Sequence, residues 1–288
     1  MQEITVQPDA GGQSHTGKVF VAVHAHLPEV TFLAGGLCAR LMAEGYTGYL
    51  VRTTNDETSG GKSAAQNILS NETEHTAMAK ALGFRDVFDL YYVSRRMNEI
   101  SPVELRGRLV LIFRMLKADT VLSFSPSAEG EPDPDRWVTG RAVEEACLAA
   151  GSATDFHEHA EAGIEPHEVR ERYYFYARPE QAFNRVVDIS RYAEKKAAAV
   201  VECRSQGGGN AGSLLRARLA QEGRRLPILG GDDRTADLGY ARQFLLEESR
   251  RYGSAHGFEY AERFQYVGPA PDNRAQVEDY IARNAVRI

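Results

Sequence analysis

The run Val19-Phe20-Val21-Ala22-Val23-His24-Ala25 is followed at once by His26-Leu27-Pro28-Glu29-Val30, and then by Ala34-Gly35-Gly36. A short, valine-rich apolar run of this kind reads as a strand buried in a parallel sheet, here Lys18 to Ala25. Leu37, Cys38, Leu41 and Met42 recur at helical spacing, so a helix is expected from near Ala34 to Gly45. Polar residues wedged between such a strand and helix occupy the place where an open α/β sheet builds its site.

The same alternation continues along the chain. Tyr46 to Thr53 reads as a second strand, with the polar loop Asn55 to Gly61 at its C-terminal end. Asn71 to Leu82 is expected to be helical, and Val87 to Val93 a third strand. Ser101-Pro102-Val103-Glu104 is a helix start with a capping box and a first-turn proline, and that helix runs to about Lys117. Thr120 to Phe124 is a fourth strand. A long loop, Ser125 to Asp135, then leads through Asp133-Pro134-Asp135-Arg136 to a helix over Val138 to Ala150. The order βαβαβαβα predicts a parallel sheet with right-handed crossovers.

The second half is less regular. Arg172 to Ala177 and Arg185 to Ile189 read as strands, Ser190 to Arg204 as a helix capped by Ser190, and Gly207 to Asn210 as a turn. Two further helical stretches follow, and Phe258 to Val267 closes the pattern as a late strand or helix end. The expected fold class is α/β, a Rossmann-like, mostly parallel sheet with helices on both faces. It forms one domain over residues 18–288, after a flexible polar leader at 1–17.

The 288 residues carry 34 basic and 40 acidic side chains, interleaved, for a net charge of -6. Nucleic-acid binding needs a basic face, so nucleic acid is not the expected partner. No apolar run approaches a membrane span, and the first residues lack a signal-peptide pattern. Cytoplasmic location follows as the expectation. Cys38, Cys147 and Cys203 are odd in number and sit in helix-like runs, as reduced buried thiols do.

Several stretches taken in order resemble the PIG-L / LmbE-like N-deacetylase family. They are Ala25 to Glu29 with Ala34 to Leu41, Arg52 to Gly61, Asp133 to Ala146, Glu165 to Phe175, Val186 to Ala199 with Ser205-Gln206, and Glu259 to Phe264. The similarity spans roughly Lys18 to Val267. It implies an LmbE-like fold and, in its usual form, zinc-dependent hydrolysis of N-acetylglucosamine derivatives. Family members usually read Ala-His-Pro-Asp-Asp-Glu at the first site, where the His and the second Asp bind zinc and the first Asp is the general base. At the second site they read His-Pro-Asp-His, whose last His is the third ligand. Three protein ligands leave an open position for a water whose pKa the zinc lowers.

Set against that pattern, His26 keeps the first ligand, Leu27 replaces the proline, and Pro28 replaces the base. Glu29 stands for the ligand Asp, Asp133 for the first His of the second site, and Arg136 for the third ligand. A guanidinium stays protonated and cannot bind zinc. An ion pair of Arg136 with Glu29 is expected where zinc otherwise lies. No cofactor is therefore expected. If a metal binds, His26 and Glu29 are its ligands, or a relocated set adds His24 and one of Glu131, Asp133 and Asp135.

His26, Glu29, Asp135 and Arg136 are the candidate catalytic residues. His24, Asn55, Asp56, Arg95, Asp133 and Trp137 are the candidate substrate contacts. Each has a plainer reading: His24 as strand-end packing, Asn55 to Glu57 as turn chemistry, Arg95 with Arg96 as a solvated loop, Asp135 as a helix cap, and Trp137 as packing. His157, Glu158 and His159 read as a surface segment, and His167 as part of a segment beside the pocket.

Three functions are consistent with these residues. One is a repurposed enzyme acting on a small polar metabolite, such as an N-acyl amino sugar or a specialised-metabolite intermediate, without the zinc mechanism. The second is a non-catalytic pseudoenzyme that binds a ligand or partner. The third is a zinc amidohydrolase with rearranged ligands. The expected partner is a small molecule, and a homo-oligomer or a protein partner stays open.

Overall fold

Phe20 and Ala22 point to one face of the first long strand and Val21 and Val23 to the other, and all four are fully buried. A strand covered on both faces belongs in the middle of a sheet. The computed structural model describes residues 3–127, 130–176, 178, 180–269 and 274–286. In chain order it contains β1 (Thr5–Gln7), β2 (Val19–His24), α1 (Glu29–Ala43), β3 (Thr47–Thr54), α2 (Ala64–Leu82), β4 (Asp86–Tyr92), α3 (Pro102–Leu116), β5 (Thr120–Phe124) and α4 (Pro134–Ala150). There follow α5 (His157–Glu161), β6 (Glu171–Phe175), β7 (Arg185–Asp188), α6 (Ala193–Val200), α7 (Ala211–Gln221), α8 (Asp233–Tyr240), α9 (Glu247–Ala255), β8 (Ala261–Val267) and α10 (Arg274–Asn284).

The eight strands form one sheet in the order β1-β7-β8-β6-β5-β2-β3-β4. β8 runs antiparallel to both neighbours, and every other pairing is parallel. The mostly parallel α/β sheet read from the sequence is therefore present. β2 pairs with β3 on one side and with β5 on the other. The chain thus leaves β2 in one direction and later returns to its opposite edge, which opens a crevice beyond the C-terminal ends of these strands. One core cluster, with Phe20, Leu37, Leu50, Leu122 and Phe264, packs under α1 and α2. The other, with Val21, Val51, Phe113, Val121 and Val143, packs under α3 and α4.

Several expected boundaries move. Thr5–Gln7, expected within a flexible leader, pairs in parallel with β7, and Arg40 donates to the carbonyls of Gln7 and Pro8. Three residues are too few to show an alternation. Met1 and Gln2 of that leader lie outside the described residues, as does Ala177 of the expected sixth strand. α1 opens at Glu29 rather than Ala34, directly after Pro28. α2 opens at Ala64, where Ser63 and Gln66 form a capping box. α4 opens at Pro134, and its cap is Asp133, not Asp135. The helix expected over Ser190 to Arg204 is a 3-10 turn (Ser190–Tyr192) followed by the shorter α6. Ser190 makes no cap; its hydroxyl donates to Asp188 and accepts from the amides of Glu259 and Tyr260.

A buried ion pair is wedged against the middle of α1. Lys196 Nζ donates to Phe32 O (2.7 Å), Ser249 Oγ (2.9 Å) and Glu262 Oε1 (2.7 Å). Glu262 in turn accepts from the amides of Gly36 and Leu37, both at 2.8 Å. Ile189 packs against the same stretch of α1 at Gly36, where a Cβ would come within 2.4 Å of its side chain.

Candidate functional site

β2 ends at His24, and four residues lead from it into α1, so the imidazole of His26 and the carboxylate of Glu29 meet one turn apart. His26 Nδ1 lies 2.9 Å from Glu29 Oε1, and Glu29 Oε2 accepts from the amides of Ala25 (2.9 Å) and His26 (2.7 Å). From across the crevice, the first turn of α4 supplies Asp135 and Arg136. His26 Nε2 lies 3.0 Å from Asp135 Oδ2, and Arg136 Nε donates to Glu29 Oε1 at 2.8 Å. The ion pair expected between Arg136 and Glu29 is thus present. Arg136 also reaches Glu131, at 3.4 Å.

Asp135 is fully buried and is held from the other side as well. The amides of Arg95 and Met97 donate to it at 2.5 and 3.3 Å. Arg95 has a φ of +64°, a conformation that turns its amide inward while its side chain stays exposed. Asp135 therefore does not cap α4. Asp133 does so, by accepting the Asp135 amide at 3.0 Å.

These contacts set the charges. Burial opposes protonation of His26, but the Glu29 and Asp135 carboxylates outweigh it and hold the imidazole well above its usual pKa. Burial would raise Glu29, yet His26 and Arg136 bring it down to about 2. Burial lifts Asp56 above the ordinary range, against the pull of His26 and Arg52.

A second, deeper layer lies under His26. His24 Nδ1 is 2.7 Å from the carbonyl of His26, and His24 Nε2 is 2.9 Å from His75 Nε2 on α2. Arg52 on β3 donates to Asp89 on β4 (2.7 Å) and to Asp56 (3.3 Å), and Asp56 also accepts the amide of Leu27 at 2.8 Å. Burial, reinforced by His75, pushes His24 down to about 3, and burial also lowers His75. Asp56 Oδ1 and Arg52 Nη2 are buried with no hydrogen-bond partner among the described residues.

The remaining candidates divide. Asn55 folds onto Glu57, donating to its carboxylate and accepting its amide, and so shapes the loop after β3. Trp137 is half-buried, with the Arg141 guanidinium 5.3 Å from its ring centre. With Arg136, Phe124, Ser125, Glu131, Phe175 and Gln181 it lines a cavity of about 10 Å³, the volume of about one water. Arg96 pairs with Glu99 at the surface. His159 lies by Arg114, and His167 by Asp119, both toward the opposite end of the sheet. Arg52, His75 and Asp89 were not singled out from the sequence. His75 and Asp89 meet the site only through the pairing of β3 with β4 and the packing of α2.

His26, Asp133 and Asp135 form a group able to hold a metal ion, each offering an atom within 4.8 Å of the others'. This group differs from the His26/Glu29 pair expected from the sequence. Glu29 is instead taken up by Arg136, His26 and two amides.

Comparison with known proteins adds to this geometry. Residues 21–147 match the family model described as "PIG-L: GlcNAc-PI de-N-acetylase". No curated protein matches the chain. Among solved structures, N,N'-diacetylchitobiose deacetylase from Pyrococcus horikoshii is similar at 20% identity and a TM-score of 0.69, over 89% of this chain and 86% of that one. A conserved protein from Thermus thermophilus is similar at 20% identity and 0.63, over 88% and 95%. GalB, the 4-carboxy-2-hydroxymuconate hydratase from Pseudomonas putida KT2440, is similar at 19% identity and 0.62, over 88% and 98%. Residues 21–147 are thus similar to the PIG-L family, and the chain shares the fold of these solved structures.

Proposed function

We propose that the chain is a divergent PIG-L protein that acts on a small polar metabolite without a zinc-bound water. The ion pair between Arg136 Nε and Glu29 Oε1, at 2.8 Å, carries this reading. A permanent cation bonded to the carboxylate that stands for a zinc ligand competes directly with a divalent ion. The rest of the donor set fits zinc no better. Both His26 nitrogens face carboxylates, Asp135 is engaged by two amides, and Asp133 caps α4. Zinc would need three ligands freed from these bonds and one open position.

The residues that remain suit acid–base work. His26 sits between Glu29 and Asp135 as a proton donor at the mouth of the crevice, and Asp133 stands beside it as a partly exposed carboxylate. Pro28, at the place of the family's base, takes no proton. N-acyl amino sugars are the substrate class that the family match supports. The hydratase among the similar structures shows that this fold is not tied to one reaction.

Metal analysis after zinc loading and desalting tests the reading, alongside turnover of an N-acetyl amino sugar panel with and without chelator. The expected result is no stoichiometric zinc, and any turnover insensitive to chelator but lost in His26→Ala. One zinc per chain that disappears in His26→Ala would overturn it. Ligand binding with no turnover on any substrate would favour the non-catalytic reading, which Pro28 at the base position supports.

A further inference from the structure

The C-terminal helix α10 carries Val277, Tyr280 and Ile281 at positions i, i+3 and i+4, on one face, and they are 53%, 69% and 46% exposed. An isolated helix of this length is marginal in water, so such a stripe calls for a cover. A matching apolar groove lies elsewhere on the molecule. It is lined by Ala211, Leu214, Leu215 and Arg218 of α7, Tyr240 of α8, and Phe244 of the π-helical turn that follows, around about 510 Å³. Leu214 is 63% exposed and Phe244 44%.

The charges at the two faces are complementary. α7 bears Arg216 and Arg218 and no acidic residue. α10 places Glu278 and Asp279 beside its apolar stripe. Asp279 pairs with Arg283 in its own helix, and Glu278 has no ionic partner among the described residues. Among the described residues Arg216 pairs with Asp233 of α8, while Arg218 has only Glu222, at 3.9 Å. Within its own chain α10 starts beside a different cavity. Its first residue, Arg274, lines that cavity, with His15, Lys18, Asp119 and Arg170 at the N-terminal ends of the strands.

We propose that α10 of one copy seats its Val277/Tyr280/Ile281 face in the α7/α8 groove of a second copy. The reciprocal exchange closes a two-fold dimer. A helix laid by its apolar face into a groove is a common recognition mode, and an isologous pair of such seats closes without leaving a free surface to polymerise.

Light scattering across a dilution series tests this on four chains: the full chain, residues 1–273, Leu214→Glu, and Val277→Ser/Ile281→Ser. Thermal melts confirm that each is folded. The full chain is expected at twice its 31.9 kDa mass and the three variants at the single mass. An equimolar mixture of 1–273 with Leu214→Glu is expected to regain a dimer, because one intact helix then meets one intact groove. A full chain that is monomeric throughout, including one whose α10 covers its own groove, would overturn the proposal. So would a dimer that survives all three variants, which would place the interface on another face.

Discussion

The Nε2 atoms of His24 and His75 face each other at 2.9 Å, so one ring donates and the other accepts between them. Both rings are completely buried, and neither can gain a proton without placing a charge in the interior. Their pKa values are lowered, His24 to about 3, against an unfolded value of 6.5. As pH falls below 6.5 the unfolded chain takes up these protons first. The stability the pair contributes is complete above 6.5 and is lost toward the folded values. Each ring costs up to about 1.4 kcal/mol per pH unit in that range. Urea midpoints measured from pH 6.5 down to about 4.5, above the window in which Glu29 begins to titrate, are expected to fall steadily. A flat profile there would show that the pair is not buried as described.

His26 has the opposite sign. Its folded pKa is raised, so its contribution is complete below 6.5 and is lost as pH rises through the folded value. Midpoints are therefore expected to decline on the alkaline side too, giving a maximum near 6.5. In His26→Gln the alkaline decline should vanish while the acid one stays. Persistence of the alkaline decline in that variant would assign it to another group.

Arg136→Met leaves Glu29 with its two amides and His26 but removes its permanent cation. A loss of about 1–3 kcal/mol is expected, below the 3–5 of a fully buried pair because Arg136 remains partly exposed. Arg136→His supplies an imidazole in place of the competing cation. That variant is expected to acquire zinc when the parent chain does not, read as bound metal after desalting. Equal zinc in both chains would mean that Arg136 does not decide metal occupancy.

Gly36→Ala tests the contact between α1 and Ile189. Alanine is the better helix former by about 1 kcal/mol, yet its Cβ would meet Ile189 at 2.4 Å. Overpacking of this kind costs about 1–3 kcal/mol, so a net destabilisation is expected. Ile189→Ala in the same chain should recover part of it, as a double-mutant cycle would show. A Gly36→Ala chain more stable than the parent would refute the close approach.

Much of the sheet was legible in the sequence because its strands are short apolar runs ending in polar clusters. β5 was read to the residue, and the residues that meet at the crevice, His26, Glu29, Asp135 and Arg136, were all named from the two loops. Helix starts were less legible. The α2 capping box at Ser63 and Gln66 was present in the sequence, but it lies several residues before the apolar periodicity begins. Asp133 and Asp135 are both good caps by residue type, and only the fold shows that the second turns inward to His26. Arg52, His75 and Asp89 stayed hidden because a buried charge network has no local signature: its members lie on three elements and meet only once β3, β4 and α2 are assembled.

The wedge of Lys196 and Glu262 against α1 ties the first helix of the crevice to elements from the second half of the chain. Glu29 begins that helix, and the amides of Gly36 and Leu37 within it rely on an acceptor from β8, far beyond residue 147. A fragment ending where the family match ends would leave those amides, and the core faces over β2 and β5, open to water. The C-terminal half thus supplies contacts on which α1, and through it Glu29, rests. Substitutions around Lys196, Ser249 and Glu262 should alter the site through the helix that presents Glu29, without touching any ligand.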